Sequence, residues 1–476
     1  MRSFRRRAFG NRQRGVAALV ILLVLMVGVT GWLVSSLSSA RVSIEGDKQT
    51  AAALAQAKDA LIGYAVTFYD ENSGEFAFLP CPNWSSTVPP ASEGFSQGPC
   101  GNKYANYVGR LPWKSLGIPV LRDGDAECLW YAVAGSYKNA NVKTDMLNED
   151  TDGQFEVFAS DGVTRIAGGT PGKRPVAVVF AGRAILGPQN RSLLPTGTEV
   201  CGGNFGAANY LEAANSRNNA VLSLAQDTVD TLFTGDTRDA SGNVIANERL
   251  IYITKDEIFD AIKKRTDFNQ KLQSLNQSLA TCISAYGLSG PPGDRRLPWA
   301  ASIALPDYRD VLNYVDENNR LSGRLPDQAP VTQGATTRAF SMSNCLSSNP
   351  EQLQLWENWK DHFFYAVAEA FKPSSPPGTQ VCSPLLNNCL TVNGGTINKY
   401  AAIVFFSRSA LAGQSRNAPP IDPDEKANIS NYLEGKNDDP NVGNNDYDSV
   451  APSPTFNDFL SCIDDSLVVQ PCGSAL

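Results

Sequence analysis

Five short segments recur in the same order along this chain of 476 residues, which constrains its fold more than any other feature. Leu79-Pro80-Cys81 answers to Leu297-Pro298-Trp299, and Gly109-Arg110-Leu111-Pro112 to Gly323-Arg324-Leu325-Pro326. Tyr131-Ala132-Val133 answers to Tyr365-Ala366-Val367, and Tyr210-Leu211-Glu212 to Tyr432-Leu433-Glu434. Residues 179–191 align without gaps to residues 404–416, matching Arg183 to Arg408 and Arg191 to Arg416. One shared segment could be chance, but an ordered set is a duplication. The chain is also longer than one hydrophobic core usually supports. Two domains of one plan are therefore expected, over residues 40–253 and 254–476.

Each copy opens with a helical pattern. Residues 50–69 hold no proline and place Leu54, Ala57, Leu61 and Ala65 on one face. Thr254-Lys255-Asp256-Glu257 is a capping box that starts a second helix running to about Ser284. Its buried positions are expected at Ile258, Ile262, Leu272, Leu275, Leu279 and Ile283. After each helix the pattern turns to short β-branched and aromatic runs, at 175–180 and 400–406, with another at 155–159. The expected fold class is α+β, with a helix packed on an antiparallel sheet, twice over.

The N-terminus has a different character. Ahead of Gly15 lie Arg2, Arg5, Arg6, Arg7, Arg12 and Arg14 with no acid, and behind it no charge appears until Arg41. As a helix at ~1.5 Å per residue, the apolar residues 16–37 would extend ~33 Å, enough to cross a bilayer. A transmembrane helix is expected over 16–39, continuous with the helix of the first copy to about Phe68. The arginines would hold the N-terminus in the cytoplasm and export everything beyond residue 40. Arg6-Arg7-Ala8-Phe9 also suits a twin-arginine export signal. A secretory signal would be cut after Ala40, with Ser38 as its other small residue, and a plain signal anchor would not be cut at all.

Arg14-Gly15-Val16-Ala17-Ala18-Leu19 resembles the prepilin cleavage site of type IV pilins and of the pseudopilins of type II secretion. The resemblance covers residues 12–135, through Leu79-Pro80-Cys81-Pro82, Gly109-Arg110-Leu111-Pro112-Trp113 and Leu129-Trp130-Tyr131-Ala132-Val133, and reaches the rest through the duplication. It implies a basic leader over residues 1–15, cleavage after Gly15, N-methylation of Val16, and two tandem pilin-like heads behind the transmembrane helix. Where most pilins carry Glu at the fifth mature position this chain has Val20, a departure that suits a tip, priming or low-copy subunit. The implied partners are other pilins or pseudopilins, the prepilin peptidase and the inner membrane. The implied location is a single-pass inner-membrane protein with its heads in the periplasm or on the cell surface. The alternative is a permanently anchored periplasmic binding or scaffold protein.

Without the leader, 35 basic residues face 48 acidic ones, a balance that does not seek nucleic acid. All ten cysteines lie beyond residue 80, in even number and without a CxxC, and His362 is the single histidine. Disulfides in an oxidising compartment are therefore expected rather than a zinc cage. The short loops favour Cys382–Cys389 and Cys462–Cys472, then Cys81–Cys100.

Gly94-Phe95-Ser96-Gln97-Gly98 spells a nucleophile elbow, but polar loop sequence flanks it on both sides and only His362 could serve as base. No enzyme is expected. The clusters at 123–127, 150–153 and 437–448 offer oxygen ligands for calcium without EF-hand spacing. Asp438, Asp439, Asp446 and Asp448 are the favoured candidates, because major pseudopilins bind calcium in a late acidic loop. The repeated arginines Arg183, Arg191, Arg408 and Arg416 are expected to hydrogen-bond carbonyls or pair with acids within each head.

Overall fold

The computed structural model describes residues 13–85, 93–139, 146–181, 200–329, 338–383, 385–394, 400–416, 423–438 and 445–472; on helix α1, side chains are described for Met26 and from residue 43 onward. Helix α1 (Gln13–Glu71) leads into a sheet of β1 (Tyr107–Arg110), β2 (Trp130–Val133), β3 (Pro175–Ala181) and β4 (Arg249–Thr254), antiparallel and in sequence order. Helices α2 (Lys255–Ile262) and α3 (Phe268–Leu288) precede the second large sheet. That sheet orders β5 (Ser322–Arg324), β6 (Phe363–Val367), β7 (Tyr400–Phe406), β8 (Phe459–Asp464) and β9 (Val469–Pro471), again all antiparallel.

The duplication holds at the level of register. Gly109 pairs with Tyr131, Tyr131 with Val179, and Val179 with Ile251. In the second sheet Gly323 pairs with Tyr365, Tyr365 with Val404, and Val404 with Ser461. The repeated glycine has a steric cause. A Cβ on Gly323 would lie 2.2 Å from the carbonyl oxygen of Ala301, and one on Gly109 would lie 2.9 Å from that of Asn83. In both copies a neighbouring backbone crosses the edge strand there, bridging Ala301 to Arg324 and Asn83 to Arg110.

Leu54, Ala57, Leu61, Ala65 and Phe68 form the buried stripe of α1 and lie against β3 and β4. Leu272, Leu275, Leu279 and Ile283 do the same for α3 against β7 and β8. The capping box forms, with Glu257 N–H donating to the Thr254 hydroxyl. The single helix expected from Thr254 to about Ser284 is instead broken into α2 and α3. Arg265 sits at the break and reaches back to α1, with Nη2 2.7 Å from Asp70 and Nη1 3.0 Å from the Val66 carbonyl.

The expected fold class needs correction in two respects. First, among the described residues no helix is long and apolar enough to cross a membrane. The described part of α1 carries Glu45, Asp47, Lys48, Lys58 and Asp59 between its apolar positions, the pattern of a helix laid on a protein surface. The absence of such a helix among the described residues overturns the expected transmembrane helix over 16–39, whose side chains other than Met26 lie outside the described set, and with it the placement as a single-pass inner-membrane protein.

Second, the chain is a mixed α/β structure with many small sheets rather than an α+β pair of tandem heads. Phe155–Ala159 runs parallel to Asp230–Thr234, and Thr391–Val392 runs parallel to Asp446–Tyr447. One continuous hydrophobic core extends from Ala53 to Cys472 across both halves. Aromatic rings join the halves, with Phe76 5.1 Å from Phe268 and Phe268 5.7 Å from Trp359.

Candidate functional site: a buried ionic cluster between the halves

A dense set of buried charges among the described residues lies where the halves meet. Asp150 comes from the loop ahead of Phe155–Ala159, and Asp361 and His362 from the 3-10 turn Lys360–His362 that joins helix Pro350–Trp359 to β6. Lys426 ends the short helix Pro423–Lys426. All four are buried. The Lys426 ammonium lies 2.8 Å from Asp361 and 3.7 Å from Asp150, and donates to the Tyr432 hydroxyl at 3.3 Å. His362 Nδ1 lies 3.0 Å from the Ser407 carbonyl, so that nitrogen carries a proton. Its Nε2 lies 3.1 Å from Asp150, an ionic contact rather than an aligned hydrogen bond. Asn148 adds a donor to Asp361 at 2.8 Å, and Leu147 N–H donates to Asn358 at 2.9 Å.

The electrostatics follow from this geometry. Burial opposes charging of His362, but Asp150 and Asp361 outweigh it and raise its pKa. Burial likewise opposes ionisation of Asp150, and His362 and Lys426 outweigh it to hold the carboxyl well below its usual range. Two carboxylates thus face two cations. Asp150, Asp361 and His362 bring possible ligand atoms within 4.8 Å of one another, but Lys426 and the imidazolium already supply the positive charge at that point. Small cavities of about 180 and 230 Å³ flank the cluster, and Asp150 lines both. With each ionic group held by a protein partner, the cluster acts as a lock between the halves.

A second feature is duplicated. Glu248 immediately precedes β4 and Asp458 immediately precedes β8. Glu248 accepts from Glu212 N–H, and Asp458 accepts from Glu434 N–H at 3.0 Å. Glu212 and Glu434 in turn accept from Asn247 N–H at 3.5 Å and Asn457 N–H at 2.9 Å. One oxygen of Glu248 and one of Asp458 are buried without a hydrogen-bond donor. Burial and then the Glu212 carboxyl push Glu248 up to about 9, and burial and then Glu434 push Asp458 well above its usual range. Each half therefore holds two neighbouring carboxyls, with burial and mutual repulsion favouring the protonated form of Glu248 in one and Asp458 in the other. The repeated Asn247-Glu248 and Asn457-Asp458 dipeptides were the available sequence signal. They lie 36 and 24 residues from their partners, a spacing too irregular to reveal the pairing.

Disulfides join Cys81 to Cys100, Cys382 to Cys389 and Cys462 to Cys472, the three short-loop pairs. Two more, Cys128–Cys201 and Cys282–Cys345, close long loops, and no described cysteine is free. Five disulfides suit an oxidising periplasmic or extracellular compartment.

Among the calcium candidates, Asp446 lies 2.5 Å and Asp448 3.8 Å from the Lys436 ammonium, so the protein's own cation sits between them. Asp446 also accepts from Thr391 at 3.0 Å and from Gly394 N–H at 2.8 Å. Asp438 ends the 3-10 turn Gly435–Asp438, and Asp439 lies outside the described residues. In the cluster at 123–127, Asp123 caps its own turn by accepting from Asp125 and Glu127 N–H, both at 2.9 Å.

Ser96 lies on a loop with no strand entering or helix leaving, and His362 is committed to Ser407 and Asp150. The structure therefore does not assemble a serine triad. Arg416 donates to the carbonyls of Asn431 and Arg408, as expected of a structural arginine. Arg408 does not, and Arg183 and Arg191 lie outside the described residues. The surroundings of Gly15 and the side chain of Val16 are likewise outside the described set. No protein-family model, curated protein or solved structure matches this chain.

Proposed function

We propose that the chain is a non-enzymatic, pilin- or pseudopilin-like subunit of a type IV pilus or type II secretion apparatus, used at a tip, priming or low-copy position. The observation that carries this reading is α1, a single helix that begins at Gln13, beside Gly15, and ends at Glu71 on the sheet of the first half. In such a subunit the helix is the assembly element and the folded halves are displayed. Val20 at the fifth mature position and the large double body both favour a special position over a repeating shaft. The buried cluster supports a structural rather than catalytic role, because its groups are spent on one another.

The test is the mature N-terminus, read by intact mass and terminal sequencing from cells with and without an active prepilin peptidase. A chain that starts at Val16 only when the peptidase is present, and stays uncut as Gly15→Val, is the expected result. An uncut chain beside active peptidase overturns it. That outcome would leave an exported binding or scaffold protein, a reading favoured by the open groove of the second half.

A further inference from the structure

A groove of about 810 Å³ runs along the second half, between the polar side of α3 and the strands β8 and β9. Gln273, Gln277 and Thr281 line it from α3 at four-residue spacing, and Gln470 lines it from β9. Its charged lining groups among the described residues are Arg408 and Asp458.

Arg408 is unusual in this molecule. Arg110, Arg324 and Arg416 all direct their guanidinium groups onto backbone carbonyls. The Arg408 guanidinium has no hydrogen-bond or ion-pair partner among the described residues, and its Nε is fully enclosed. Burial pulls its pKa down, yet a guanidinium stays charged at any physiological pH. A half-buried cation without a counter-charge is costly unless a ligand supplies one. Asp458 does not neutralise it. Asp458 as a residue is only 6% exposed, its carboxyl accepts from Glu434 N–H at 3.0 Å, and burial followed by the Glu434 carboxyl favours its protonated form. Arg408 is thus the cation of the groove wall that has no hydrogen-bond or ion-pair partner among the described residues.

We propose that this groove binds a sugar acid, with one carboxylate on Arg408 and hydroxyls on the amides of Gln273, Gln277 and Gln470. A lone guanidinium matches a single carboxylate through its planar fork. Free side-chain amides each offer a donor and an acceptor, the pattern that vicinal hydroxyls require. The volume falls within the range of about 300–1,000 Å³ typical of ligand sites. An extended peptide is the poorer fit, since Pro471 in edge strand β9 lacks the N–H that strand addition would use. The same chemistry serves a free uronic acid or the acidic end of a glycan. The groove belongs to the second half, and its binding is independent of any cleavage after Gly15.

The test is calorimetric titration of the full chain with glucuronate, with glucose as the uncharged counterpart and acetate as the anion without hydroxyls. Glucuronate is expected to bind at one site, at least about tenfold more tightly than either. Arg408→Gln should lose at least about tenfold in glucuronate affinity while melting no lower than the parent chain, because the guanidinium has no internal partner to lose. Wild-type binding should fall as Asp458 loses its proton with rising pH, and Asp458→Asn should keep it. Tighter binding of a trigalacturonide would identify a glycan end, and equal binding the free acid. Absence of glucuronate binding, equal binding of acetate, an unchanged affinity in Arg408→Gln or a lowered melting temperature of that variant would each overturn the assignment.

Discussion

The guanidinium of Arg324 lies 4.9 Å from the centre of the Tyr432 ring. In the first half Arg110 lies 4.8 Å from Tyr210, the residue that answers to Tyr432 in the repeat. Both arginines end an edge strand, both are buried, and both spend donors on carbonyls of a segment folded over the sheet. Each is a strut between a sheet and the chain that returns across it. The cation faces an aromatic ring on one side and backbone oxygens on the other.

Removing either strut should strand those carbonyls and empty an aromatic cage. Arg324→Ala is expected to cost about 3–5 kcal/mol, the range for breaking a buried charged network. Arg110→Ala should cost a similar amount. Arg324→Lys should recover only part of the loss, because an ammonium cannot span Ile303, Asp361 and Lys426 together. Urea denaturation measures all three.

The cluster between the halves should titrate with a definite sign. The pKa of His362 is raised above its ordinary value of about 6.5, so its contribution is complete below about pH 6.5 and is lost as pH rises through the folded value. Asp150 is depressed, so its contribution is complete above about pH 4 and is lost as pH falls. Asp150→Asn should lower the His362 pKa and cost about 3–5 kcal/mol. With one histidine in the chain, a proton NMR titration reads that shift without overlap.

The acid pairs should weaken the fold on the alkaline side. Glu248 and Asp458 have folded pKa values above those of an unfolded carboxyl, so the stability they contribute is complete below about pH 4 and is lost as pH rises through the folded values, about 9 for Glu248. The slope reaches about 1.4 kcal/mol per pH unit for each pair. Glu248→Gln should flatten one of the two slopes and raise the melting temperature at pH 8. Thermal unfolding from pH 5 to 9 reads the difference.

The long-loop disulfides should matter more than the short ones. Cys282–Cys345 spans 63 residues and Cys382–Cys389 spans 7. Chain-entropy arguments put their contributions at about 4 and about 2.4 kcal/mol. The Cys282→Ala, Cys345→Ala pair should therefore lower the denaturation midpoint further than the Cys382→Ala, Cys389→Ala pair.

What could be read in advance was whatever is local or repeated. The buried faces of α1, α2 and α3 follow from apolar spacing, and the Thr254 cap from a four-residue motif. The three short disulfides follow from proximity in sequence. Arg110 and Arg324 were visible as repeated letters, but their stacking on Tyr210 and Tyr432 was not, because those tyrosines arrive from about a hundred residues away. Asp150 and His362 carried no joint signal. Asp446 and Asp448 spell an open acidic loop in sequence, and the placement of Lys436 between them depends on the fold.

By itself, the sequence determined the duplication, the helix faces and the preference for an oxidising compartment, since these rest on periodicity, order and composition. Only the tertiary structure decided that the two copies share one core and a charged lock, that the small parallel sheets form, and that Arg408 has no partner among the described residues. Those outcomes depend on which distant side chains meet, and neither a five-residue motif nor an apolar stripe carries that information.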